Sequence, residues 1–174
     1  MQQTLESAQG AKKRFDHLGQ FNNIDIFEDF AHHPTAVKIM LKSLKIQAPN
    51  RRIVLAFDPK NASSRRNIFM DEYSEALSQA DCVFIAPCPQ DNKISENNKM
   101  RTQDLAEKIG SKALAFQNYQ DLFLSILGLI KEKDLVIFMS CGDFAQLPSL
   151  LIEKLSINPG QENSLKKKER LLSQ

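Results

Sequence analysis

Nowhere does the sequence hold an apolar run near the roughly 20 residues a membrane-spanning helix needs. Its first residues, Met1-Gln2-Gln3-Thr4-Leu5-Glu6, are polar and lack the apolar centre of a signal peptide. Glycine is scarce, six residues in 174, and neither a Gly-x-x-x-x-Gly-Lys-Ser/Thr phosphate loop nor a Gly-x-Gly-x-x-Gly motif occurs. A domain without them cannot cradle a triphosphate by the usual backbone device. The net charge is only +2, and no platform of aromatic and basic residues is present, so nothing points to nucleic acid. Cysteine occurs three times, at Cys82, Cys88 and Cys141, an odd number with no Cys-x-x-Cys spacing. That usage fits a reduced, cytoplasmic setting.

What is present is the composition of an ordinary globular domain, long enough to bury a core. Short apolar runs bounded by polar residues read as buried strands at Arg52–Phe57, Cys82–Ala86, Lys112–Phe116 and Leu135–Met139. Between and around them, helical periodicity predicts helices over Pro34–Leu44, Ser64–Ala80, Met100–Ile109, Tyr119–Ile130 and Pro148–Leu155, with Pro34 in a first turn and Gly110 as a stop. Strands alternating with helices imply an α/β fold: a Rossmann-like open, mostly parallel sheet flanked by helices. Ahead of this unit, Arg14–Phe21 and Ile24–Phe30 have strand character, and Asn22-Asn23 suits a hairpin turn, so an N-terminal antiparallel hairpin should lie at the sheet edge. The domain should occupy residues 10–157, after a remnant of an upstream linker at 1–9 and before a polar basic tail at 158–174.

In an open parallel sheet, ligands sit at the carboxyl ends of the strands. That rule selects Asp58 to Arg66, Pro87 to Lys93 and Ser140 to Phe144, the first of them basic and leading into a helix, which also suits an anion. They could equally be ordinary loops capped by Ser63 or Ser64. A denser cluster, Glu28-Asp29-Phe30-Ala31-His32-His33-Pro34-Thr35, lies where the second hairpin strand meets a helix. It could contact a nucleotide through Asp29 and an imidazole, supply a general base, or simply cap the helix. Metal binding is disfavoured, because adjacent histidines point apart and no third ligand is suitably spaced.

Asp29-Phe30-Ala31-His32-His33-Pro34-Thr35 closely resembles the Asp-(Tyr/Phe)-(Ala/Gly)-His-His-Pro-Thr signature of Mur ligases that act on UDP-N-acetylmuramate. Gly10-Ala11-Lys12-Lys13-Arg14-Phe15-Asp16 looks like their Gly-x-x-Arg-Arg-Phe-(Asp/Glu) motif, and the hairpin between the two fits their spacing. Arg51 through Pro59, Ala80-Asp81-Cys82-Val83 and Met139-Ser140-Cys141-Gly142-Asp143-Phe144 resemble later family segments in the right order, from about Gly10 to Leu155. The Phe30-Ala31 pair and the Met-Ser-x-Gly-x-Phe ending look more like the murein peptide ligases, which join L-alanyl-γ-D-glutamyl-meso-diaminopimelate to the nucleotide sugar, than like the UDP-N-acetylmuramate–L-alanine ligases. Lys13, Lys60, Cys141 and Asp143 depart from the usual residues, and Lys lacks the fork with which Arg grips a carboxylate or phosphate.

The resemblance implies the C-terminal domain of an ATP-dependent amide-forming ligase that works through an acyl phosphate. Its partners would be the upstream N-terminal and central domains of the same chain, with ATP and Mg2+ held mainly by the central one. Arg14 would neutralise nucleotide phosphate, Asp29 would bind ribose hydroxyls, and His32 and His33 would lie near the nucleotide. Lys60, Asn61, Ser63 and Arg65 would meet the acceptor, a murein peptide or an amino acid. The isolated domain should be inactive. Alternatives are the corresponding domain of an L-alanine ligase, a Rossmann-like binding module without catalysis, and an unrelated hydrolase using a histidine.

Overall fold

The computed structural model describes residues 15–61, 63–89 and 93–156. Lys13 and Arg14, the linker remnant and the basic tail lie outside them. Six strands form one sheet: β1 (Asp16–Phe21), β2 (Ile24–Asp29), β3 (Ile53–Asp58), β4 (Cys82–Ile85), β5 (Ala113–Ala115) and β6 (Leu135–Ser140). Their spatial order is β1-β2-β6-β3-β4-β5, with β1 antiparallel to β2 and every other pairing parallel. The expected hairpin is therefore present, turned through Asn22 and Asn23, both at positive φ. It joins the parallel sheet through β2, whose Asp29 aligns with Met139 of β6.

Both faces of the central strands are buried, which is why they read as unbroken apolar runs rather than as an alternation. Ile53, Leu55 and Phe57 pack on one side with α1 (Pro34–Gln47), α2 (Met70–Leu77) and α3 (Thr102–Ile109). Val54 and Ala56 face the other side, toward α4 (Tyr119–Leu129) and α5 (Leu147–Ser156). The same two-residue period divides Leu135, Ile137 and Met139 from Val136 and Phe138.

One expected helix is shorter than its periodicity suggests. α2 begins at Met70 rather than Ser64, after a single 3-10 turn at Asn67–Phe69. Side-chain bonding competes with the helix here: the Asn61 Oδ1 accepts from the Ser64 N–H at 2.6 Å. An isolated bridge from Arg66 to Lys99 then holds the chain extended. Gly110 ends α3 at φ 95°, a conformation costly for any residue with a Cβ.

Beneath the amino ends of the strands lies a polar staple. Arg52 grips the buried Asp134 with two parallel bonds, Nε to Oδ1 at 2.9 Å and a second nitrogen to Oδ2 at 2.6 Å. Arg51 reaches Asp25 at 2.5 Å, and Asp81 accepts the Ile53 N–H at 2.8 Å while pairing with Lys45. With the lower edge tied this way, the carboxyl ends are left to the loops that carry the chemistry.

Candidate functional site

Where β2 ends, Asp29 turns the chain into α1. Its side chain is only 6% exposed, and each oxygen already holds a backbone N–H: Oδ2 that of Phe15 at 2.7 Å and Oδ1 that of Ala31 at 2.5 Å. His33 caps α1, its Nδ1 accepting from the Thr35 N–H at 3.4 Å, and its ring meets the edge of Phe69. His32 bonds through Nδ1 to the Phe30 carbonyl at 2.9 Å and sits edge-to-face with the exposed Phe30 ring. The backbone carbonyl of His32 also accepts from the hydroxyl of Tyr73, a fully buried residue whose pKa burial pushes up to about 12. The result is a rim of two imidazoles and a phenyl ring, open to solvent, over a carboxylate that faces inward.

The loop leaving β3 is more tightly tied than expected. Asp58 is 2% exposed and accepts from the Ser140 hydroxyl at 2.9 Å and the Tyr119 hydroxyl at 3.2 Å. Burial pushes its carboxyl above the ordinary range, although Lys60, Ser140 and Tyr119 work against it. Lys60 sits 3.4 Å from Asp58 and 3.0 Å from Asp143, with its ammonium 5.7 Å from the centre of the Tyr119 ring. A Cβ on Gly142 would lie 3.0 Å from the Lys60 stem, so a side chain there would need that stem to shift by a few tenths of an ångström. Asn61 spends its Oδ1 on the Ser63 hydroxyl and the Ser64 N–H; its buried Nδ2 has no partner among the described residues.

Of the four residues expected to meet an acceptor, Arg65 lines a cleft among the described residues, and Lys60, Asn61 and Ser63 do not line it. This cleft holds about 490 Å³ at the carboxyl ends of β4 and β5. Its apolar lining includes Pro87, Pro89, Ile94, Met100 and Phe116, and its cations are Arg65, Lys99 and Arg101 against the single carboxylate of Glu96. The Arg66–Lys99 bridge and the bond from the Met100 N–H to the Arg65 carbonyl at 2.8 Å bring the three cations together. Cys88 lies in the same wall; burial raises its thiol pKa, opposed by Arg65 and Lys99. The cleft's exposed lining is mostly polar, because Ile94 and Met100 are themselves buried, and Lys99 pairs with Glu96 within it. Sequence reasoning missed Lys99 and Arg101, whose only signal was their place before a helix that starts at a strand's carboxyl side.

Residues 13–142 match the family described as Mur ligase, glutamate ligase domain. The chain belongs to that family. It is 29% identical over 159 residues to the UDP-N-acetylmuramate–L-alanine ligase of Desulforapulum autotrophicum, covering 90% of this chain and 35% of that one. A domain from a provisionally named UDP-N-acetylmuramate:L-alanyl-γ-D-glutamyl-meso-diaminopimelate ligase of Haemophilus ducreyi superposes with a TM-score of 0.65 at 25% identity, covering 82% of this chain and all of that one. A murein peptide ligase from Psychrobacter arcticus gives a TM-score of 0.67 at 23% identity, covering 87% of this chain and 32% of that one. This Mur ligase domain thus spans about a third of the length of the longer relatives. No helix among its described residues is long and apolar enough to cross a membrane, and no three His, Cys, Asp or Glu side chains among them converge as a metal cage.

Proposed function

We propose that this domain is the C-terminal part of a cytoplasmic, ATP-dependent ligase that joins a murein peptide to UDP-N-acetylmuramate. The muramoyl carboxylate attacks the γ-phosphorus of ATP and releases ADP. The acceptor amine then attacks the acyl phosphate carbon, and inorganic phosphate leaves as the amide forms and the amine loses its proton. ATP and Mg2+ are held mainly by a central domain, consistent with the missing phosphate loop here. The isolated domain is accordingly inactive. From this chain, Arg14 neutralises phosphate charge and the His32–His33 rim borders the nucleotide. Closing the rim over the nucleotide would keep water from the labile acyl phosphate.

The observation that carries the reading is the cationic cleft. Arg65, Lys99 and Arg101 line it, Lys99 paired with Glu96 and Arg101 3.7 Å from Asp104, and together they suit a ligand that ends in carboxylates. Arg65 is the acceptor residue this geometry favours; the Asn61 carbonyl accepts from its Nε at 3.3 Å, and Lys60 and Ser63 do not line the cleft. The cleft is far roomier than one alanine requires, which favours a peptide. The 29% identity to an L-alanine ligase favours the alternative, the same chemistry with alanine as acceptor.

The test is ATP-dependent phosphate release by the complete ligase with UDP-N-acetylmuramate and either L-alanyl-γ-D-glutamyl-meso-diaminopimelate or L-alanine. Release driven by the tripeptide supports the proposal, release driven only by L-alanine supports the alternative, and no release with either refutes both.

A further inference from the structure

We infer that Tyr73 is a positioning residue: its hydroxyl ties the segment that carries His32 and His33 to the loop that carries Arg65, and so sets the acceptor against the nucleotide. The inference rests on the ligase reading above. β2 and β3 are not neighbours in the sheet; each pairs with β6, which lies between them. The β2–α1 junction and the loop that follows β3 therefore need a tie that crosses the end of β6.

Tyr73 makes that crossing from α2. Its ring packs against Phe57 of β3, with centroids 5.3 Å apart, and its hydroxyl donates to the His32 carbonyl. The Ser63 and Ser64 hydroxyls lie beside the same oxygen. Both serines belong to a turn built on Asn61, whose Oδ1 accepts from the Ser63 hydroxyl at 2.8 Å and from the Ser64 N–H at 2.6 Å. The same turn holds Arg65, whose N–H and Nε both donate to the Asn61 carbonyl, at 3.1 and 3.3 Å. Polar contacts thus run from the His32 carbonyl, through Tyr73 and two serines, to the residue proposed to meet the acceptor. Tyr73 itself is 0% exposed, so it touches no ligand and acts on the reaction only through these loops. Phenylalanine would pack as well; what the hydroxyl adds is the tie.

In the proposed reaction the acceptor amine must reach the acyl phosphate before water does. Loosening the tie leaves both ligands bound but lets their reacting atoms drift, and a small misplacement slows amine attack steeply. Water then takes more of the acyl phosphate, which returns the muramoyl carboxylate and inorganic phosphate with no amide formed. The readout is ADP formed per amide formed, measured in the complete ligase with the acceptor that supports amide formation. Tyr73→Phe should raise that ratio about threefold or more, with KM for ATP within about twofold of wild type. An unfolded fraction lowers the rate but leaves the ratio alone, so a purely structural role would not move it. An unchanged ratio overturns the inference. The 174-residue chain tests the tie without catalysis. Ser64→Ala should shift the His33 amide resonance when Tyr73 is present and leave it in place in the Tyr73→Phe background. No shift in the first case, or the same shift in both, also overturns the inference. A wild-type ligase that forms no ATP-dependent amide would refute the ligase reading instead, leaving the His33 resonance to judge the tie.

Discussion

The ammonium of Lys60 lies 3.0 Å from the Asp143 carboxylate, across the gap between the loops that leave β3 and β6. It is also 3.4 Å from the buried Asp58. Lys60 is thus a latch between two loops before it is anything else. Replacing it by alanine leaves Asp58 buried with only hydroxyl partners, and should destabilise the domain by about 2 kcal/mol. The effect should grow with pH. Burial holds the Asp58 carboxyl above its unfolded value, so the folded state binds the extra proton, and the associated stability is lost as pH rises through the folded pKa. Urea denaturation of Lys60→Ala at pH 4 and pH 7 should show the larger loss at pH 7.

Asp25 and Asp81 behave in the opposite sense. Burial alone would raise Asp25, but hydrogen bonds from Gln20, Arg51 and His17 outweigh it and hold the carboxyl below the ordinary range. Asp81 is likewise held down, against burial, by the Ile53 N–H and Lys45. Their contribution is complete above the unfolded carboxylate value and is lost as pH falls through the folded one. Thermal midpoints should therefore drop steeply below about pH 4, and Asp25→Asn should flatten that drop while lowering the midpoint at pH 7.

Asp134→Ala removes the partner of Arg52 inside the staple, where the aspartate is 1% exposed. It also strips an acceptor from the Lys131 N–H. A loss of about 3 kcal/mol is expected in urea denaturation, close to the cost of orphaning one member of a buried pair. An effect under about 1 kcal/mol would mean that the pair is solvated.

Tyr73→Phe keeps the ring packed against Phe57 but deletes the hydroxyl that holds the His32 carbonyl. About 1 kcal/mol of stability should go with it, and amide exchange at His33 to Thr35 should quicken while β3 stays protected.

These expectations also mark what the sequence could reveal. The strands were legible because Ile53–Asp58 and Leu135–Ser140 are buried on both faces, which leaves continuous apolar runs. The hairpin was legible from Asn22-Asn23, and the end of α3 from Gly110. The start of α2 was not, because the Asn61 bond to Ser64 and the Arg66–Lys99 bridge override a helical period. Candidate site residues were read from the motif, but their structural partners were not. Asp29 meets Phe15 only because the hairpin register brings Asp16 opposite Glu28. Arg65 meets Lys99 and Arg101 only because a bridge spans more than 30 residues. Spacing along a chain carries no information about either encounter.

The cleft offers the most direct trial of the whole account. The isotopically labelled 174-residue chain would be titrated with γ-glutamylglutamate, a dipeptide bearing three carboxylates, and with alanine, while backbone amide shifts are followed. Saturable shifts at Arg65, Lys99, Arg101 and Phe116 with the dipeptide, weakened about tenfold or more by Arg65→Ala and absent with alanine, are the expected result. Shifts that fall elsewhere, or that persist unchanged in Arg65→Ala, would contradict it.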